Sequence, residues 1–439
     1  MTASTPQHPA GHVIDLLIDA RWIIPVEPFR ALLENHSVAI CDGRILDLLP
    51  SAQADTAYRA RQRVVLDQHV LIPGLVNLHS QCATRLLPGN HGDGGRVWPT
   101  RSRPLNADLV RDGTLLGAAE MLRGGVTCLN DVHAFPAAAA QAVLRLGMRA
   151  TLGLLVLESP CAYASDAADY LAKGLAARDQ LAGTERLQFS LAPYAPYAVS
   201  DRTLERIATL AAQLDLPVHV RINETAHEDA ESQRRHGLRP LERLRRLGLL
   251  GPGLIAAHAV HLDDQDIALL ADHGCSIAHC PTANMNLASG IAPIADASAR
   301  GVRVGLGTDA APANGRNDMF REMRHGALLG RAATGDPEAF DVHTMLRMAT
   351  LNGAAALGLD DRIGSLRPGK CADLCAVRLD DWLPSPCADP AAHLLHGASR
   401  DQVSHVWIDG VEKLCHSQLH DIRAGELLDI CALWQNRAM

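Results

Sequence analysis

The chain has 439 residues, 47% of them hydrophobic and 21% charged, and a formal net charge of −8. This is the composition of a globular protein with room for one large domain and a small one, and its negative balance points away from nucleic acid and anionic membranes as partners. The start of the chain lacks the basic residues and apolar run of a secretory leader, no apolar stretch reaches the roughly 18 residues of a membrane helix, and eleven scattered cysteines without a CxxC pair do not read as a disulfide framework, so a cytoplasmic protein is expected.

In chain order, residues 12–70 read as short strands and turns. VIDLLIDARWIIPV and ALLENHSVAICDGRILDLLP are apolar segments punctuated by Asp-Gly and Pro. From residue 71 to about 362 short apolar runs alternate with stretches of helical spacing. The runs are LIPGLVNLH, VTCLNDV, ATLGLLVLE, LQFSLAP, LPVHVRI, LIAAHAV, CSIAHCP and VRVGLGTD. Between them lie segments such as ADLVRDGTLLGAAEMLRGG and DRTLERIATLAAQLD, apolar on one helical face. The alternation predicts an α/β domain, either a (β/α)8 barrel of the TIM type or a doubly wound sheet. After residue 363 the text returns to strands and turns in IGSLRPGKCADLCAVRL and VSHVWIDGVEKLC. Residues 12–70 and 363–425 are therefore expected to pair into one small β domain beside a barrel spanning 71–362.

In a barrel the chemistry sits where strands end. The first run ends in His79-Ser80-Gln81, with residues 79 and 81 on one face by strand alternation. The fifth ends in His219, Arg221 and Glu224, the sixth in His258, and the eighth in Thr308-Asp309. These ends carry a resemblance. PGLVNLHS, APYAPYAVSD, the NETA segment, AAHAVHL, AHCPTANMNLASGIAPI and GTDAAPANGRNDM resemble, in order, the amidohydrolase superfamily, and within it the methylthioadenosine and S-adenosylhomocysteine deaminases and the triazine hydrolases. The resemblance implies a (β/α)8 barrel with a β-sandwich built from both chain ends, a small-molecule substrate, a homo-oligomer, and one divalent ion, usually zinc. In that family the ion is held by a His-x-His on strand one, a His on strand five and an Asp on strand eight, and it lowers the pKa of a bound water.

Carried over residue by residue, His79 and Asp309 match the first and last ligands. Gln81 stands where the second imidazole belongs, and Arg221 where the third does. A Gln carbonyl suits harder cations than zinc, and Arg stays protonated and cannot ligate. A divalent ion about 4 Å from a guanidinium is repelled by roughly 8 kcal/mol at an effective dielectric of 20. The expectation is that Arg221 pairs bidentately with Asp309 and fills the ion's place. His219 lies two residues before Arg221 on the same face, which should leave it too deep to serve as a replacement ligand.

The resemblance also assigns proton transfer to Glu224 and water polarisation to His258. It places Tyr194 where the branch has a substrate-contacting His, and Arg101 where it has a ribose-binding Glu. Arg101 and Arg221 together make the expected pocket more positive, so an anionic ligand is expected. Cys82 should point away from the face of His79, His227, His261, His273 and His279 read as structural, and the Arg234–Arg246 stretch reads as a solvated helix face. Two functions compete. One is a hydrolase of a non-peptide C–N bond, deaminase-like, in which Glu224, His258 and Asp309 are catalytic and Arg101, Tyr194, Arg221 and Gln81 bind substrate. The other is an inactive barrel that binds a ligand or partner.

Overall fold

The computed structural model describes residues 11–87, 105–379 and 389–436. The N-terminal part forms β1 (His12–Ile23), β2 (Leu33–Cys41), β3 (Arg44–Pro50) and β4 (Tyr58–Pro73). Two of these are long rather than short, and a helix, Ser51–Ala57, interrupts them. The barrel strands follow: β5 (Leu75–Gln81), β6 (Val126–His133), β7 (Arg149–Val156), β8 (Leu187–Pro193), β9 (Val218–Ile222), β10 (Leu254–His258), β11 (Ser276–His279), β12 (Arg303–Leu306) and β13 (Asp309–Ala310). The chain ends with β14 (Leu374–Arg378), β15 (Val403–Ile408), β16 (Val411–Cys415) and β17 (Gln418–Leu419).

The barrel sheet runs β12-β11-β10-β9-β8-β7-β6-β5-β13, every pair parallel. The two ends of that order, β12 and β13, are consecutive pieces of one run. Its first half pairs with β11, and its second half joins Asp309 to Ser80 and Ala310 to Gln81 in β5. The sheet therefore closes on itself as a (β/α)8 barrel, and the doubly wound alternative falls away. All eight apolar runs became strands because each is short, buried on both faces and bounded by a turn signal. The crossover helices begin where a capping side chain can take the amide of the third helical residue: Asn106 for Leu109, Asp166 for Asp169, Ser200 for Thr203 and Thr225 for Glu228.

Both chain ends share one eight-stranded sheet, ordered β17-β16-β15-β14-β4-β1-β2-β3 and antiparallel except for β1 on β4. Ile45 from one wing and Trp407 from the other lie in the same buried apolar cluster with Ile18, Ile40 and Leu71, so the sheet curls around its own core as a sandwich does. The segment read as the first barrel run is divided between the sheets. Leu71–Pro73 complete β4 and β5 begins at Leu75. Gly74 makes the passage, and a Cβ there would stand 2.2 Å from the Thr127 hydroxyl.

Candidate active site at the barrel mouth

The strand ends at the mouth are locked together before any chemistry is considered. The Asn77 side chain donates to the Thr308 hydroxyl (2.8 Å) and accepts from the Thr308 amide (3.1 Å), tying strand eight to strand one. Gly307 lets His79 in, since a Cβ there would lie 2.7 Å from the His79 Cβ. His258 and Asp309 both have left-handed backbone, at φ 71° and 60°. Such conformations are costly for residues other than Gly and cluster at functional sites.

His79, Gln81, His219, Glu224, His258 and Asp309 are all buried, and the Arg221 side chain is only 12% exposed. Asn130 sets the protonation of the deepest pair. Its amide nitrogen donates to the Leu78 carbonyl (2.9 Å) and to His219 Nδ1 (3.2 Å). His219 Nε2–H must then donate to His79 Nδ1 (2.9 Å), and His79 Nε2–H to Asp309 Oδ1 (3.2 Å). His219 is thus a support for His79, as its depth suggested. Burial pushes both imidazoles below the usual range, His219 further because His79 and His258 stand beside it.

Arg221 does not fork onto one carboxylate as expected. Its Nη1 lies 3.3 Å from Asp309 Oδ1 and its Nη2 donates to Glu224 Oε2 at 2.7 Å. Glu224 sits just past the end of β9, close enough to compete for the second nitrogen. Burial alone would raise both carboxyls. The guanidinium overrides it, holding Glu224 below its ordinary value and Asp309 well below the carboxylate range. The Tyr194 ring lies 5.5 Å from the guanidinium carbon and completes its surroundings. Arg101 and the Gly-rich loop from residue 88 to 98 lie outside the described residues.

His258 Nδ1 is paired with Asn284 Oδ1 at 2.9 Å, so it carries the proton and Nε2 keeps a lone pair. That lone pair and Asp309 Oδ2 are buried without a hydrogen-bond partner among the described residues. They face each other at 3.9 Å, with Glu224 Oε2 at 4.0 Å from the same nitrogen. His79, His258 and Asp309 bring three donor atoms within 4.8 Å of one another, close enough to share an ion. An ion held there would also face the guanidinium that already neutralises Asp309.

Sequence reasoning missed Asn130 and Asn284, which set the histidine tautomers. Asn284 was visible in AHCPTANMN, but its role depends on a helix, Pro281–Asn286, folding back over the mouth. The arginine-rich stretch needs correction. Arg234, Arg235, Arg245 and Arg246 are exposed and pair with Glu231 or Glu242. Arg243 is buried instead, bonded to Asp201 and to the Pro196 and Val199 carbonyls, and Arg239 reaches Asp266 and the His261 carbonyl. Both tie the loops after β8 and β10 to neighbouring helices. Cys82 is buried beside Gly117, off the face of His79. His261 and His273 bond to the Ser289 and Leu269 carbonyls.

Residues 70–413 match the amidohydrolase family. The chain is 38% identical over 431 residues to a 5-methylthioadenosine/S-adenosylhomocysteine deaminase of Teredinibacter turnerae, covering 97% of this chain and 98% of the relative. It is 36% identical over 388 residues to a 5'-deoxyadenosine deaminase of Methanothermobacter thermautotrophicus, covering 86% of this chain and 89% of the relative. An adenosine deaminase from Xanthomonas campestris, solved with bound zinc, superposes with a TM-score of 0.95 at 39% identity, covering 98% of this chain and 99% of that one. Atrazine chlorohydrolase TrzN from Arthrobacter aurescens TC1, complexed with zinc, shares the fold at a TM-score of 0.88 and 23% identity, over 95% of this chain and 99% of that one.

Proposed function

From the premise that the chain belongs to the amidohydrolase family, we propose that it is a deaminase-like hydrolase, cleaving a non-peptide C–N bond of a small heterocyclic or anionic substrate. One observation carries the reading. Two buried polar atoms, His258 Nε2 and Asp309 Oδ2, face each other with no protein partner among the described residues. Leaving such atoms unpaired costs about 1–3 kcal/mol each, and substrate and attacking water are what would satisfy them.

In this reading His258 Nε2 takes the first proton from water. Arg221 keeps Glu224 ionised, so Glu224 enters as an acceptor. His258 stands 4.0 Å away, so one bridging water passes the proton to Glu224, which then delivers it to the leaving nitrogen. The oxygen bonds to carbon, the C–N bond breaks, and ammonia or an amine departs. Arg221 and Tyr194 face the developing negative charge.

The zinc of the relatives fits these residues poorly. His79 Nε2 is committed to Asp309, the guanidinium is the cation beside the carboxylate, and by the resemblance Gln81 and Arg221 stand where two imidazole ligands belong. We therefore take Arg221 as the charge that balances Asp309, with no step through an ion. Arg221 spanning both carboxylates also favours a second reading, a barrel that binds ligand without turnover, because it engages the very group that would move protons. Metal analysis of the purified protein, with ammonia release screened over amino-heterocycles and their carboxylated analogues with and without chelator, separates these outcomes. Chelator-resistant ammonia release with preference for the acidic analogues is expected. One tightly held zinc with chelator-sensitive activity would overturn the reading of Arg221, and no release from any substrate would favour the second reading.

A further inference from the structure

Away from the barrel, the outer sheet gathers a second set of soft and borderline donors. His405 lies in β15 and is buried. Cys415 ends β16 and is half-buried, and His416 begins the exposed turn to β17. One ligand atom from each falls within 4.8 Å of the other two. Glu412 and His420 form a second such trio through the same Cys415 thiol. His405, Glu412, Cys415 and His416 line an open groove of about 460 Å³, wide enough for an ion to enter from solvent.

The local structure prepares these groups as ligands. The Ser404 hydroxyl donates to the Ala376 carbonyl (3.4 Å), so it accepts from His405 Nδ1–H at 2.8 Å. That leaves the lone pair on His405 Nε2, the arrangement in which a hydrogen-bonded histidine binds a metal. The ring is held flat on Trp407, centroids 5.5 Å apart and 7° between planes. Burial and the neighbouring His416 and His69 push its pKa down to about 4, so it is neutral at physiological pH. His416 stands edge-on to it, 4.9 Å between centroids. It is kept there by a two-residue turn in which both His416 and Ser417 take positive φ, 46° and 61°, a conformation that Asn-Gly would adopt at lower cost.

We propose that His405, Cys415 and His416 form a metal site, one for a thiolate-accepting ion of the zinc type, with the fourth position open to solvent. One thiolate and two imidazoles match zinc and exclude magnesium or calcium, which take oxygen ligands. Binding forms a metal–sulfur bond as the S–H bond breaks and its proton leaves to solvent. Because the thiol must lose its proton on binding, apparent affinity should rise with pH.

Cobalt(II) titration of the full-length, metal-stripped protein tests the site through the thiolate-to-cobalt charge-transfer band. One equivalent should develop the band in the wild type and equally in the Asp309→Asn variant, whose barrel mouth is disabled. Cys415→Ser should abolish it, and His416→Ala, an exposed position, should weaken cobalt binding at least tenfold. As a second measurement, zinc should slow alkylation of Cys415 at least tenfold in peptide mapping. Absence of the band, its survival in Cys415→Ser, or unchanged alkylation would each overturn the proposal.

Discussion

At the seam between the two sheets, Arg149 is held between two carboxylates. Its Nε and Nη2 fork onto Asp373 at 2.8 and 3.2 Å, and Nη2 also reaches Asp409. The Asp409 amide closes back on Asp373 (3.0 Å), and Arg186 takes the remaining Asp409 oxygen (2.7 Å). At the other end of the barrel, Arg221 also stands between two carboxylates, but with one nitrogen each. Asp309 Oδ2 and the neighbouring His258 Nε2 are left over. Arg149 opens β7 at the barrel's N-terminal face, where polar networks serve stability, and Arg221 lies in β9 toward the face that carries chemistry. The saturated network is a rivet. The unsaturated one holds charge in place while leaving buried atoms for something that is not protein.

The contrast is broken most forcefully at the rivet. Arg149→Met removes a cation whose side chain is 3% exposed and strands Asp373, 2% exposed, without its partner. Losing one member of a buried pair costs about 3–5 kcal/mol, because the other charge stays desolvated. The unfolding free energy from denaturant titration should fall by that amount, with turnover per folded molecule unchanged. A loss under about 1 kcal/mol would mean that Asp373 escapes to solvent and the seam is no rivet.

Arg221→Met sharpens the comparison from the other side. Asp309 again loses its cation, but here it keeps the His79 hydrogen bond. The expected cost is about 1–3 kcal/mol, less than at the seam. Removing the guanidinium also frees the three-donor cluster, so zinc should now raise stability, by about 2.7 kcal/mol at a hundredfold excess over its Kd. Measured in a Cys415→Ser background, which silences the outer-sheet site, zinc should stabilise Arg221→Met and leave Arg149→Met unchanged, since no trio of donor atoms gathers at the seam among the described residues. Equal zinc responses in wild type and Arg221→Met would show that Arg221 does not compete with an ion.

The same pair of arginines shows what was legible in the sequence. Every barrel strand could be read from its apolar run, and the end of each run named the mouth residues, because strand alternation and barrel topology convert position directly into direction. Arg221 was conspicuous because it stands in a place the resemblance reserves for His. Arg149 was not, since it opens an unremarkable apolar run and finds Asp373 and Asp409 more than 220 residues away. Nothing local marks such a pairing. The division of Arg221 between Asp309 and Glu224 was hidden for a different reason: it depends on side-chain reach of under an ångström, which spacing does not encode. Asn130 and Asn284 were hidden likewise, as their meaning lies in which lone pair they leave on a histidine.

Acid distinguishes the two networks last and most gently. The seam holds arginines and aspartates around its charges, whereas the mouth depends on His79 and His219 remaining neutral. Their folded pKa values lie below the ordinary 6.5, so below that pH the unfolded chain binds protons that the folded one refuses. Stability is then complete above about 6.5 and drains as pH falls toward the folded values, at up to about 1.4 kcal/mol per pH unit for each histidine. His219→Gln keeps a donor for His79 Nδ1 but cannot titrate. Its stability, followed by thermal or denaturant unfolding from pH 7 to 5, should fall less steeply than that of the wild type by up to that slope. The lowered carboxyls act in the same direction only below about pH 4, so they do not enter this window. Parallel acid limbs for the two proteins would place the titrating load elsewhere and sever the acid sensitivity from the His79–His219 pair.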